Sequence, residues 1–190
     1  MRSEGLRGAG GLNTLPDYLK PGLRLVSIGL NPSIPSLAAG VYFANPRNRF
    51  WRALNESGLA GAVGKPSADE VRRLFDELGI GFTDVVKRPT RGGSELRAAD
   101  FRRDAPLLKR KLERFRPAVA WFHGKQAYRY YLQYAEGVAN AKPDWGAQSR
   151  KTADCRVFVT PNPSPANAAY SLEDLVRWYR KLAAYADENR

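Results

Sequence analysis

The sequence predicts an α/β protein, a three-layer α/β/α sandwich built on a central, mostly parallel sheet. Two observations carry this expectation. Four short apolar runs, RLVSIGL (24–30), IGFTDVV (80–86), PAVAWFH (117–123) and RVFVTP (156–161), read as buried strands. They alternate with helical segments of ten or more residues, and strands joined by helices of that length run parallel, with helices covering both faces of the sheet.

The elements follow in order. MRSEGLRGAGGLNT (1–14) is rich in glycine, so a flexible segment is expected over 1–19 and a single domain over 20–190. After the first strand, NRFWRALNESG (48–58) reads as a helix closed by Gly58. In SADEVRRLFDELG (67–79), Ser67 and Glu70 form a capping box, Val71, Leu74, Phe75 and Leu78 share one face, and Gly79 stops the helix. The second strand leads to AADFRRDAPLLKRKLERFR (98–116), a long basic helix with Phe101, Leu108, Leu112 and Phe115 on its inner stripe. The third strand runs straight into the helix GKQAYRYYLQY (124–134), and residues 135–153 read as a polar, weakly ordered linker. The last strand precedes a helix capped by Ser171 with Asp174, whose apolar stripe is Leu172, Leu175, Val176, Tyr179 and Leu182.

Composition narrows the chemistry. A chain of 190 residues can bury a core without staples, and 43% apolar content argues against wholesale disorder. No apolar run reaches the roughly 18 residues of a membrane span, and the N-terminus has no apolar signal core, so a soluble, unsecreted protein is expected. The lone Cys155 excludes an internal disulfide. His123 is the single histidine, too few soft ligands for a zinc site, and neither glycine-rich nucleotide fingerprint is present; no metal and no cofactor are expected. The excess of 31 Lys and Arg over 19 Asp and Glu gives a net charge of +12 and predicts attraction to polyanions, nucleic acid ahead of a membrane surface.

One short motif occurs twice. Asn-Pro-Ser follows the first strand at Asn31 and the last strand at Asn162. Proline pushes the residue before it into extended geometry, so each asparagine is held where a strand stops. The triplets serve either as turn punctuation or as two amides presented at one sheet edge. In parallel sheets of this kind ligands bind outside the carboxyl ends of the strands, where Asp84 and His123 also fall, and that convergence favours the second reading. Asp84 is open to three roles: a helix cap, an ion-pair partner of Lys87 or Arg88, or a catalytic carboxylate. Gly124 and Lys125 open a helix that can hold a phosphate on its first amides. GVYFANPRNRFW (40–51) interleaves aromatics with Arg47 and Arg49, as would a wall on which a base stacks beside groups that meet phosphates, or a core edge with a solvated rim.

GLNPSIPSLAAGVYFANPRNRFWRALNESGL (29–59) resembles the first motif of the mismatch-specific uracil/thymine DNA glycosylases. GFTDVVKRPT (81–90), HGKQAY (123–128) and TPNPSPANAAYSLEDLVRWYRKL (160–182) follow in that family's order and spacing. The resemblance implies the fold of the uracil-DNA glycosylase superfamily and an enzyme that flips a base out of DNA and hydrolyses its glycosidic bond without metal or cofactor. It implies that Asn31 positions the attacking water, that Phe43 stacks on the flipped base, and that Leu30, Ser36 and Asn162 line the base site. It further implies that the segment Asn162–Tyr170, with Ser164, Pro165, Ala166, Asn167 and Ala168, enters the duplex, with Lys125 beside it on the DNA.

The chain departs from the family at three places. Ser33 stands where the family often has glycine. PSPANAAYS (163–171) lacks the bulky apolar residue and arginine that bacterial members use as a wedge and as a reader of the opposite guanine. Asp84 stands where those members commonly carry lysine, and is here taken as a second catalytic residue. The expectation is a monomeric, monofunctional glycosylase of the bacterial cytoplasm, associated with the nucleoid through DNA. Its substrates would be double-stranded DNA bearing uracil or mismatches, with single-stranded DNA as a further partner and no membrane. The alternative is a non-catalytic nucleic-acid-binding domain on the same fold.

Overall fold

In a computed structural model that describes residues 14–188, the four expected strands all form, and a fifth joins them. They are β1 (Leu25–Gly29), β2 (Ile80–Asp84), β3 (Val119–His123), β4 (Gly146–Ala147) and β5 (Arg156–Thr160), arranged in the order β2-β1-β3-β5-β4. All neighbours are parallel except the short β4, which runs antiparallel to β5. The helices are α1 (Ile34–Ala39), α2 (Phe50–Ser57), α3 (Ala68–Asp76), α4 (Ala98–Phe115), α5 (Lys125–Ala135) and α6 (Leu172–Asp187).

Strand alternation divides the core in two. Leu25, Ile80, Phe82, Val119, Trp121 and Phe158 face α2, α3 and α6, where they pack around Phe50, Leu54, Leu74 and Tyr179. Val26, Ile28, Ala120, Phe122, Val157 and Val159 face α4 and α5, against Phe101, Leu108, Leu112 and Tyr131. The chain is thus a three-layer α/β/α sandwich with a mostly parallel sheet, as its periodicity predicts.

Capping follows the expected chemistry with one difference. Gly58 and Gly79 take the left-handed conformation expected of helix-closing glycines, at φ 74° and 65°. Ser171 and Asp174 exchange side-chain and main-chain hydrogen bonds at the start of α6. Ser67 accepts from the Glu70 amide at 3.1 Å, but the Glu70 carboxylate turns instead to Arg73 and the Gly64 amide, so this box is half closed.

Two stretches are more ordered than composition suggests. The linker over 135–153 supplies β4 and a buried Thr152, whose hydroxyl donates to Glu136 at 3.0 Å, as does Tyr131 at 2.9 Å. Residues 14–19, the described part of the segment expected to be flexible, lie along the outer edge of β2; residues 1–13 fall outside the described residues. Tyr18 and Phe82 exchange main-chain hydrogen bonds at 2.9 and 3.1 Å, and Leu15 is buried. The approach is so close that a β-carbon on Gly81 would stand 2.4 Å from the Tyr18 carbonyl oxygen. Glycine at position 81 is therefore what lets this strap dock.

A chain beginning at Pro21 should melt at lower temperature than one beginning at Thr14. Loss of the buried Leu15 side chain alone is worth about 2–5 kcal/mol, and the Tyr18 rung goes with it. Equal melting curves in calorimetry would show that the strap contributes nothing to the fold.

Candidate active site

The parallel register lines up the last residues of four strands. Gly29 pairs with Asp84, His123 pairs with Thr160, and one further step in the β1–β3 register sets Gly29 beside His123. Alternation turns this row, Asp84–Gly29–His123–Thr160, toward the face covered by α2 and α6. Gly29 has no side chain, and Asp84 fills the room it leaves: a β-carbon on Gly29 would lie 2.5 Å from Asp84 Oδ1.

Beyond the row, the chain after β1 remains zipped to the chain after β2. The amides of Val85 and Val86 donate to the carbonyls of Gly29 and Leu30, each at 2.9 Å, and Thr90 and Ile34 continue the pairing with Pro32 and Thr90. This fixes Asn31. Its Nδ2 donates to Thr90 Oγ1 at 2.7 Å, to the Arg88 carbonyl at 2.9 Å and to the Pro32 carbonyl at 3.2 Å, so its Oδ1 is left as the acceptor, with no hydrogen-bond donor among the described residues. Arg88 in turn makes a two-pronged pair with Asp100 on α4, at 2.9 and 2.8 Å, and that guanidinium holds the Asp100 carboxyl down to about 2.

Asp84 is only 4% exposed, and its Oδ2 has no hydrogen-bond partner among the described residues. Burial pushes its carboxyl up to about 7, a rise that nearby Lys87 opposes. Of the ion-pair partners foreseen for Asp84, Lys87 lies 3.8 Å away, whereas Arg88 is committed to Asp100. A helix cap is excluded, because no helix begins after β2 before the single 3-10 turn at Gly93–Glu95. His123 is fully buried, with Nε2 2.8 Å from Ser27 Oγ and Nδ1 unpartnered; burial pushes it down to about 3, so it is neutral at physiological pH.

Phe43 sits over this row. One face of its ring stacks on Phe50 at 4.1 Å, its edge meets His123 at 5.1 Å, and it remains partly exposed. Its backbone takes φ 56°, a left-handed conformation unfavourable for so bulky a residue. Ser36 holds it there: the buried Ser36 hydroxyl accepts from the Ala44 amide at 3.2 Å and from Ser33 Oγ at 2.9 Å. Ser36, expected in the base site, thus braces the Phe43 loop through its hydroxyl oxygen. Ser33, the departure from the family's glycine, caps α1, a helix the sequence did not foretell. Leu30 is half-buried and packs with the α4/α5 core, on the sheet face opposite the row.

The second Asn-Pro-Ser forms a compact loop. Asn162 Oδ1 accepts from the Ser164 amide at 2.9 Å, and Asn167 Nδ2 donates to the Asn162 carbonyl at 3.0 Å. Arg49 staples the loop from beneath, donating to the carbonyls of Pro163, Ser164, Asn167 and Tyr170. Arg49 is therefore neither a phosphate contact nor a solvated rim. Pro165, Ala166 and Ala168 are exposed at the tip, with Ser164 and Asn167 half-buried behind them. Lys125 lies beside the loop, its ammonium 4.8 Å over Trp145, which meets Tyr170 edge-on at 5.4 Å. The sequence reading missed the Arg49 staple, which ends on backbone carbonyls that carry no residue signature. It also missed Asp17, whose carboxylate reaches the lysine beside Asp84 from far away in the chain.

The fold is that of an α/β protein with a mostly parallel sheet, the class in which ligands bind at the carboxyl ends of the strands. Residues 16–183 match the Uracil DNA glycosylase superfamily, and the chain belongs to that superfamily. The fold is shared with the solution NMR structure of a Methanosarcina acetivorans protein provisionally named a uracil DNA glycosylase. The two are 21% identical, with a TM-score of 0.57 over 90% of this chain and 97% of that one.

Arg49→Met should leave the sheet intact and loosen the 162–170 loop. Charge-assisted hydrogen bonds contribute about 1.5–3 kcal/mol each, so amide exchange at Ser164 and Asn167 should accelerate by at least about tenfold. Unchanged exchange would show the loop to be held by its own turns.

Proposed function

We propose that this chain is a monofunctional DNA glycosylase that extrudes uracil from DNA and hydrolyses its N-glycosidic bond to leave an abasic site. We place it with the mismatch-specific uracil/thymine glycosylases, with mispaired thymine as a related substrate. The observation that carries this reading is Asn31, whose NH2 is held by three acceptors so that its Oδ1 is left to accept, at the edge that also holds Asp84 and Phe43. In the reaction a water adds to C1′, the bond to the base breaks, and the base leaves as an anion. Asn31 Oδ1 accepts a hydrogen bond from that water and orients it, and ionised Asp84 takes its proton and faces the positive charge that grows on the sugar. The exposed ring face of Phe43 stacks on the base, worth roughly 1–3 kcal/mol against an extrusion cost of similar size. The net charge of +12 draws the protein to DNA, and Lys125 beside the loop supplies one local cation.

The tip residues Pro165, Ala166 and Ala168 are too small to wedge a base stack firmly, and they offer no arginine to an opposite guanine. Uracil release should therefore depend little on the base opposite. The test is single-turnover release of uracil from duplexes with G or A opposite and from single strands. Release is expected from all three, and Asn31→Ala should slow it about 10²-fold or more with DNA affinity nearly unchanged. DNA binding with no release in any context would leave only the non-catalytic binding domain.

The pH profile follows from the raised Asp84 carboxyl. Below about 7 Asp84 carries a proton and cannot accept another, so the rate should rise with pH and level off above that point. Asp84→Asn should remove this limb and slow release about 10²–10⁴-fold. Its effect on stability has the opposite sign. Between about pH 4 and 7 the folded protein keeps a proton that the unfolded chain has lost, so wild-type stability falls with rising pH and the variant's should not. A variant that loses stability at every pH yet keeps its rate would make Asp84 structural.

A further inference from the structure

Asp84 shares its surroundings with a cluster the mechanism above does not use. The strap along β2 carries Asp17 into that cluster. Asp17 Oδ1 accepts from Thr83 Oγ1 at 2.7 Å and from Lys87 Nζ at 2.8 Å, and its Oδ2 accepts from Lys111 Nζ at 2.5 Å. The same Lys87 ammonium is 3.8 Å from Asp84 Oδ2 and 3.4 Å from the Tyr42 hydroxyl, which itself donates to the Pro16 carbonyl at 3.1 Å. The Lys87 main chain is anchored at both ends. Its amide donates to Asp104 Oδ2 at 2.8 Å, and its carbonyl accepts from Thr14 Oγ1 at 2.6 Å. Only its side chain is left to choose between the two carboxylates.

We propose that Asp17 is a positioning residue that holds the Lys87 ammonium away from Asp84 and so leaves Asp84 free to act as a proton acceptor. This rests on the reading of Asp84 as the base. Burial alone would raise the Asp17 carboxyl, but Lys87 and Lys111 more than offset it and keep Asp17 ionised. The ionisable groups around Asp84 are Lys87 in its own loop, Asp17 in the strap, Lys111 on α4 and Tyr42 before α2, with neutral His123 across Gly29. With Asp17 present, two ammonium groups are shared between two carboxylates. Without it, both act on Asp84, whose carboxylate becomes a tightly paired ion and a weaker base. The strap that closes the edge of the sheet, tied by side chains as well as by backbone, thereby also sets the proton affinity of the site.

The direct test is the titration of Asp84 by carbon NMR in protein labelled at the aspartate carboxyl carbon, its signal identified by its loss in Asp84→Asn. Asp17→Asn should lower the Asp84 midpoint by at least about one pH unit, the usual effect of an opposite charge brought within contact. Lys87→Met should raise it. A general loss of packing does not move one midpoint down and the other up. If Asp17→Asn does not fold, Asp17→Asn combined with Lys111→Met removes one charge of each sign and should lower the midpoint likewise. An unchanged midpoint in the folded Asp17 variant overturns the proposal. The pH profile of uracil release, measured on the same proteins, tests the catalytic reading separately. A rate limb that moves with the midpoint supports both, whereas a midpoint that falls without any change in the rate profile upholds the Asp17 role and removes Asp84 as the base.

Discussion

The site depends on the chain after β1 staying hydrogen-bonded to the chain after β2 once both strands have ended. A strand exit is normally the place where two chains part. Here main-chain bonds carry on from Gly29 to Ile34 against Val85 to Thr90, through a proline in each segment, Pro32 and Pro89. Everything chemical is hung on that extension. It supplies the Arg88 carbonyl and the Thr90 hydroxyl that lock the Asn31 amide, it sets Asp84 against Gly29, and it starts α1, whose Ser36 braces the Phe43 loop. The Arg88–Asp100 pair fastens the extension to α4, so the position of one side-chain amide is tied to the packing of the long basic helix.

The electrostatics of the chain separate by distance. At long range the net charge of +12 acts as a single attractive field for a polyanion. Within the site the charges are nearly balanced and mostly buried: Asp17 and Asp84 against Lys87 and Lys111, Asp100 against Arg88, and Arg49 against a ring of carbonyls. Buried charge is tolerated only when paired or solvated by fixed dipoles. Asp84 is the least satisfied member, with one oxygen lacking a partner among the described residues, and burial moves its proton affinity toward neutrality. Unsatisfied buried groups of this kind mark places where structure gives up stability, and this one lies at the carboxyl edge of a parallel sheet, where such sheets bind their ligands.

The parts of this structure that could be read from the sequence are those written in periodicity and in local caps. The four main strands, the long helices and the closing glycines follow from spacing alone, and so does the gathering of Asn31, Asp84 and His123 at one edge, because each ends an apolar run. What was missed has no local signature. α1 is six residues long, too short for a helical period to show, and β4 is two residues long. Ser36 reads as a polar residue near a site, and only the fold reveals that its hydroxyl already holds the Ala44 amide. Asp17 and Lys87 are 70 residues apart, and a contact at that separation leaves no trace in a single sequence.

The two Asn-Pro-Ser turns show how one local rule is put to two uses by what surrounds it. In each, proline keeps the asparagine extended at a strand end, so that its amide projects from the sheet edge. At Asn31 the flanking partner is another loop, whose Arg88 carbonyl and Thr90 hydroxyl take the NH2 group and leave the side-chain oxygen as the acceptor. At Asn162 the amide turns back on its own loop, its Oδ1 closing a tight turn on the Ser164 amide, while the Arg49 main-chain amide donates to the Pro163 carbonyl from the segment before α2. The loop presents the carbonyls of Pro163, Ser164, Asn167 and Tyr170 to Arg49, which meets them with one rigid, multiply donating group. The first turn is thus held by the loop that follows β2, and the second is held by Arg49 as a platform for a tip of small residues. Identical triplets end in different surroundings because the exit of β1 runs on beside the exit of β2, whereas the exit of β5 is fastened by a side chain from the segment before α2.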